Sequence, residues 1–163
     1  MGLLGLAILA LTWPNSNAPL VLWNMSPSVP LGLYFMLSRQ PTAGALAVIR
    51  LPEPFLDLVT TRRYLPTSVL LIKPVAASAS DVVCRHRSIV AINGRAAAFA
   101  RTADALSRPL PKWNGCIRLN AAGAFVLSAE PDSFDSRYFG PIDRRNVLGT
   151  ASLVWASNMT SRR

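Results

Sequence analysis

Apolar residues fall along this chain in short runs that are rich in β-branched and aromatic side chains and closed by proline, glycine or asparagine. That pattern marks buried β-strands. It predicts strands at Pro19 to Trp23, Leu31 to Leu37, Ala45 to Arg50, Ser68 to Val75, Asp81 to Val83, Ser88 to Ile92 and Ala124 to Leu127. Asn93-Gly94 closes one of these runs with a strong hairpin signal. Pro54 to Arg63 has the spacing of one short helix, and Arg101 to Trp113, broken by Pro109 and Pro111, reads as a loop. No internal repeat or long low-complexity stretch interrupts the series, so the pattern predicts a mainly β fold with one or two short helices.

Ahead of the first strand, Gly2 to Trp13 is apolar throughout except for Thr12. A helix needs about 20 residues to span a bilayer, and this run is shorter. It carries no basic flank of the kind that opens a secretory signal. The segment fits the end of an anchor, an interfacial segment or a core helix, and the turn-rich Pro14-Asn15-Ser16-Asn17 separates it from the first strand. The expected organisation is a hydrophobic segment at 1–13 and then a single domain at 14–163.

Composition adds a membrane to the picture. Of 163 residues, 51% are hydrophobic and 15% charged, which is apolar for a soluble domain. A net charge of +9 suits anionic lipid, nucleic acid or acidic partners. The basic residues are scattered, without the clustered runs of a nucleic-acid surface, so nucleic acid is disfavoured. Only Lys73 and Lys112 are lysines, and the other basic residues are arginines. The difference matters because a buried lysine can give up its proton and arginine cannot. Cys84 and Cys116 permit one bridge without requiring it. With the sole histidine, His86, they fall short of a metal-ligand pattern, and no cofactor is implied.

Three segments carry the candidate chemistry. Asn24-Met25-Ser26-Pro27-Ser28-Val29-Pro30-Leu31-Gly32-Leu33-Tyr34 holds a serine in a proline-shaped turn. Leu70-Leu71-Ile72-Lys73-Pro74-Val75 buries a lysine, and Asp132-Ser133-Phe134-Asp135-Ser136-Arg137-Tyr138-Phe139-Gly140-Pro141 is dense in polar and aromatic groups. A serine hydroxyl needs a base to become a nucleophile. With one histidine, outside these segments, a Ser-His-Asp triad has little support, whereas a neutral lysine is an established alternative. In this order the segments resemble the conserved boxes of the type I signal peptidases, and among them the TraF-type peptidases of conjugal transfer, whose serine box reads roughly Asn-x-Ser/Thr-x-Ser-x-Pro-x-Gly-x-Tyr.

That resemblance, from about Trp23 to Ala151, implies the β-fold shared by signal peptidases and LexA-like proteins. It implies Ser28 as nucleophile, Lys73 as general base, Ser26 as an oxyanion-hole hydroxyl, Ser133 as the group that orients Lys73, and Asp135 with Arg137 as a supporting charged pair. Pro30 and Gly32 would shape the turn that presents Ser28, with Tyr34, Tyr138 and Phe139 beneath it. Two family features are missing: Ala76 to Ser80 replaces a Gly-x-Pro-Gly-Asp turn, and Ser128-Ala129-Glu130-Pro131 replaces a Gly-Asp-x-Arg stretch. Both departures favour the conjugal branch. The implied activity is endoproteolytic maturation, with possible cyclisation, of a secreted pilin subunit. The partners would be that precursor or another secreted protein, a membrane surface and the conjugative transfer machinery. The implied location is periplasmic, at the inner membrane of a bacterium. Since the family works outside the cytoplasm, the resemblance also implies a Cys84 to Cys116 disulfide. The rival readings are a general type I signal peptidase and, from another class, an inert periplasmic assembly factor.

Overall fold

The computed structural model describes residues 21–64 and 70–157. The expected hydrophobic segment at 1–13, the break after it, and the first residues of two expected strands (Pro19 and Leu20, Ser68 and Val69) lie outside the described residues. The rest is mainly β. The strands are β1 Val21–Asn24, β2 Gly32–Leu37, β3 Leu46–Arg50, β4 Leu70–Ala77, β5 Val82–His86, β6 Ile89–Ile92, β7 Arg95–Phe99, β8 Gly115–Arg118, β9 Gly123–Val126, β10 Ile142–Asp143 and β11 Val147–Ala156. The helices are α1 Glu53–Thr61, with a proline in its first turn where the missing N–H costs nothing, and the four-residue α2 Ser136–Phe139.

Seven strands form one sheet in the order β1-β2-β11-β3-β4-β9-β10, and four form a second in the order β7-β6-β5-β8. β4 lies between β3 and β9, with Ala47 opposite Lys73. Alternation along β4 sends Leu71 and Val75 into a core with Ile49, Val59 and Phe139. Ile72 meets Val29, Tyr34, Met36 and Val48 in another cluster. Burial on both sides explains the nearly unbroken apolar run in which Lys73 sits. Val83, Val90, Phe125 and Tyr138 form a third cluster that joins the smaller sheet to the box near the C-terminus.

The expected hairpin is present: Asn93 and Gly94 both have positive φ, 49° and 78°, the geometry of a two-residue turn between β6 and β7. The second short helix, α2, is within the one or two expected, and the strands not read from the sequence are β8, β10, β11 and the run of β7 beyond the hairpin turn. β7 is mostly alanine, a weak strand former, and is held by pairing with β6. β11 loses its alternation at Leu153-Val154-Trp155, where a bulge interrupts its register with β2 and all three side chains are exposed. β8, β10 and α2 are too short to show a period. The loop read at Arg101 to Trp113 is irregular apart from one bridge, Ala103 to Pro109.

Cys84 on β5 and Cys116 on β8 are directly opposite and form a disulfide. The ring it closes, with a sequence separation of 32, contains β6, β7 and the loop after them. Restricting such a ring in the unfolded chain stabilises the fold by about 3 to 4 kcal/mol. Chemical denaturation with and without reductant should show a loss of that order. Coincident transitions would mean that the bridge contributes nothing.

Candidate active site

The serine box is held from within by Asn24, a buried residue at the end of β1. Its Oδ1 accepts the Ser26 N–H at 3.1 Å, and its Nδ2 donates to the carbonyls of Ser26 (2.8 Å), Val29 (3.1 Å) and Pro30 (3.0 Å). The Tyr34 hydroxyl donates to the Pro30 carbonyl at 2.8 Å. One side chain thus satisfies the backbone of an irregular loop whose groups would otherwise be buried unpaired. Gly32 does more than shape the turn. It has φ +145°, and a β-carbon there would lie 2.0 Å from the Trp155 carbonyl oxygen, so only glycine lets β11 close against β2.

The loop carries Ser28 to the end of a buried amine. Lys73 Nζ lies 2.6 Å from Ser28 Oγ and 2.7 Å from Ser133 Oγ, and the two hydroxyl oxygens are 3.3 Å apart. Ser26 Oγ is 3.0 Å from Ser28 Oγ, and the Ser28 N–H points to Ser26 Oγ at 3.4 Å. The Ser26 hydroxyl and the Ser28 N–H thus lie together beside the Ser28 hydroxyl, and these are the donor types from which an oxyanion hole is built. Lys73 is 4% exposed. Burial lowers its pKa from 10.5 to about 8; Asp135 opposes the shift and Arg137 adds to it.

Asp135 and Arg137 form a fully buried pair, with Nε to Oδ1 at 2.8 Å and Nη2 to Oδ2 at 3.0 Å. The pair spends its remaining hydrogen bonds on the chain around Ser133. Arg137 donates to the Ser128 carbonyl at 2.6 Å and the Pro131 carbonyl at 3.0 Å. Asp135 accepts the N–H of Ser128 at 3.0 Å and that of Arg137 at 3.1 Å, the latter capping α2. Every site residue expected from the sequence, Ser26, Ser28, Lys73, Ser133, Asp135 and Arg137, lies in this one assembly.

Three participants escaped sequence reasoning in their roles. Asn24 was visible only as a letter of the box. Ser128, noted as a departure, donates its hydroxyl to the Ser28 carbonyl at 2.7 Å. Arg85, buried on β5, donates to the Arg137 carbonyl at 2.6 Å and the Pro111 carbonyl at 3.3 Å, which ties the smaller sheet to α2. An arginine within a strand pattern carries no signal of such a role.

The family profile described as Signal peptidase, peptidase S26, matches residues 1–156. The chain belongs to that signal peptidase family. Its similarity extends to a plasmid transfer protein TraF of Escherichia coli, 29% identical over 135 positions that span 76% of each chain. A conjugal transfer protein TraF of Agrobacterium fabrum is 30% identical over 142 positions, 81% of this chain and 80% of that one. Among solved structures, a signal peptidase I from Enterococcus faecalis aligns over 69% of this chain and 97% of its own, with 17% identity and a TM-score of 0.39.

In this member of the signal peptidase family, the serine–lysine assembly opens onto a cleft of about 430 Å³. Its lining includes Ser26, Ser28, Lys73 and Ser133 of the assembly together with Arg101, Asp104 and Leu110 of the 101–110 loop. A bonded set holds that loop in place: the Asp104 carboxylate accepts from the Tyr64 hydroxyl and from Arg108 Nε at 2.7 Å, and Arg62 donates to the Pro109 carbonyl at 2.7 Å.

Lys73 also imposes a pH signature on stability. It releases its proton near pH 8 in the fold and near 10.5 in the unfolded chain. Between those values the unfolded chain binds more protons, so stability rises with pH across that window. Below it the full penalty applies, on the order of 3 kcal/mol. Denaturation of the wild type and Lys73→Met at pH 7 and pH 10 should show the wild type gaining about that amount relative to the variant. A pH-independent difference would show that burial does not lower the Lys73 pKa.

Proposed function

We propose that this protein is a serine endopeptidase that works through a Ser28–Lys73 dyad. The observation that carries this reading is the 2.6 Å approach of Nζ to Ser28 Oγ within a site that lowers the lysine pKa to about 8. In the reactive form Nζ is neutral, and the Ser28 hydroxyl donates into its lone pair, while Nζ donates a hydrogen to Ser133 Oγ and is thereby oriented. Ser28 Oγ attacks the scissile carbonyl as its proton passes to Nζ. The oxyanion that forms is received by the Ser28 N–H and the Ser26 hydroxyl, and Nζ returns the proton to the leaving amine. An acyl-enzyme on Ser28 results. Either water or an amino terminus then attacks it through the same base, giving hydrolysis or, where the amine belongs to the acyl chain itself, cyclisation.

The substrate in this reading is a secreted pilin subunit of a conjugative transfer system, supported by the transfer-protein names of its relatives. The reading places the protein in the periplasm against the inner membrane. An exposed apolar surface beside the serine box supports that placement. Trp23 and Trp155 stack at 5.7 Å, Trp155 is 55% exposed, and Met25, just ahead of the reactive serine, is 65% exposed. Tryptophans with their rings half out of the protein suit a membrane interface. Flotation with anionic vesicles should recover the wild type, and Trp23→Ser with Trp155→Ser should lose most of that recovery. Equal recovery would exclude this face as the contact.

Lys73→Arg tests the base. It keeps the charge but cannot deprotonate near neutral pH, so turnover of a candidate pilin peptide should fall by at least about a thousandfold, as in Ser28→Ala. Ser26→Ala should cost about a hundredfold, the usual effect of one oxyanion donor. For the wild type, log kcat/KM should climb one unit per pH unit and level off above about pH 8, since only neutral Lys73 serves. Mass spectrometry of co-expressed pilin separates cleavage from cyclisation. Near-normal turnover in Lys73→Arg would exclude the dyad.

A further inference from the structure

Five charged residues line the cleft: Lys73, Arg101, Asp104, Glu130 and Asp132. Lys73 lies buried on its serines. Arg101 and Asp132 pair at 2.6 Å across the mouth, and Asp104 is held by Arg108 and the Tyr64 hydroxyl. Glu130 makes no ion pair among the described residues. Its backbone, by contrast, is fixed at both ends. The Glu130 N–H donates to Ser128 Oγ at 3.1 Å, and Ser128 Oγ in turn donates to the Ser28 carbonyl at 2.7 Å. The Glu130 carbonyl accepts the Ser133 N–H at 3.1 Å. The backbone that carries this exposed carboxylate is thus anchored between the reactive serine and the serine that orients the lysine, and among the described residues the carboxylate has no cationic partner.

We propose that Glu130 is a specificity-determining residue that selects substrates with a lysine or arginine side chain close to the scissile bond. The inference rests on the peptidase reading above. The molecule as a whole carries a charge of +9, which disfavours cationic ligands at long range. The selection therefore has to be local: one substrate position should favour a cation, while positive charge elsewhere in the peptide should not help. An exposed pair of this kind changes specificity by about 1.5-fold to fivefold.

The test is a set of peptides of equal net charge, in which lysine, glutamine or glutamate is placed at each position around the cut and compensated far from it. The readout is the ratio of kcat/KM for lysine over glutamine at each position, within wild type, Glu130→Gln and Glu130→Arg. One position should give a ratio of about 1.5 to five in the wild type, near one in Glu130→Gln and below one in Glu130→Arg, where glutamate becomes the favoured residue. Calorimetric binding of the same peptides to Ser28→Ala reads the preference without turnover, so loss of the peptidase reading and loss of this inference are told apart. A lysine preference that is absent in both measurements, or that persists in Glu130→Gln, overturns it.

Discussion

Everything in this fold that surrounds the cleft answers one constraint: an amine must be kept out of water and still be free to lose its proton. A lysine ammonium at 4% exposure is penalised by lost hydration, and that penalty moves its pKa toward neutrality. A strand enclosed on both edges provides the burial, since Lys73 lies on β4 between β3 and β9. Burial without partners would leave the amine unsatisfied. Ser28 and Ser133 solve this together, because a hydroxyl can donate or accept and so remains a partner whichever protonation state Nζ adopts.

The buried Asp135–Arg137 pair meets a second requirement. A lone carboxylate beside Lys73 would stabilise its ammonium and work against burial, whereas the paired one is opposed by Arg137, and burial remains the largest influence. Desolvating an ion pair rarely stabilises a protein by itself. Here the pair's remaining hydrogen bonds hold Ser128, Pro131 and the first turn of α2, the segments on either side of Ser133. Its value lies in fixing where the Ser133 hydroxyl sits against Nζ.

The densest chemistry was the most legible in the sequence. Lys73 stands out as a lysine inside an apolar run, Ser28 and the Asp132 to Pro141 box through the resemblance of their ordered segments to signal peptidase boxes, and the strands β1 to β6 follow from short β-branched runs ended by turn formers. The elements that stayed hidden share a physical cause: their stability comes from partners distant in sequence. β11 is central in its sheet, yet three consecutive residues, Leu153, Val154 and Trp155, are exposed, so no two-residue period survives there. The alanines of β7 gain strand geometry from β6 rather than from their own preference. Asn24, Ser128 and Arg85 act by hydrogen-bonding backbone groups, and a polar side chain aimed at a carbonyl leaves no periodic trace. Glu130 was legible only as a letter that differed from the family pattern, and its fixed position between Ser28 and Ser133 required the fold.

The disulfide and Arg85 show how the smaller sheet takes part in the site without touching it. Cys84 and Arg85 are neighbours on β5, and alternation sends them to opposite faces: one bonds outward to β8, the other inward to the Arg137 carbonyl in α2. Arg85 has no carboxylate partner among the described residues, so its buried charge is balanced only by carbonyl dipoles, and burial lowers its pKa. Such a residue holds its place only if β5 is itself held rigidly. The covalent link to β8 supplies that rigidity, and β8 is also where the cleft-lining loop ends. The ring closed by Cys84 and Cys116 therefore contains the loop that lines one part of the cleft and, through Arg85, contacts the Ser133 box, while the Asn24 clamp holds the loop of Ser28. The two halves of the site meet at Lys73 and are tied to each other directly, by the Ser128 hydroxyl on the Ser28 carbonyl and by the contact of the Ser28 and Ser133 hydroxyls.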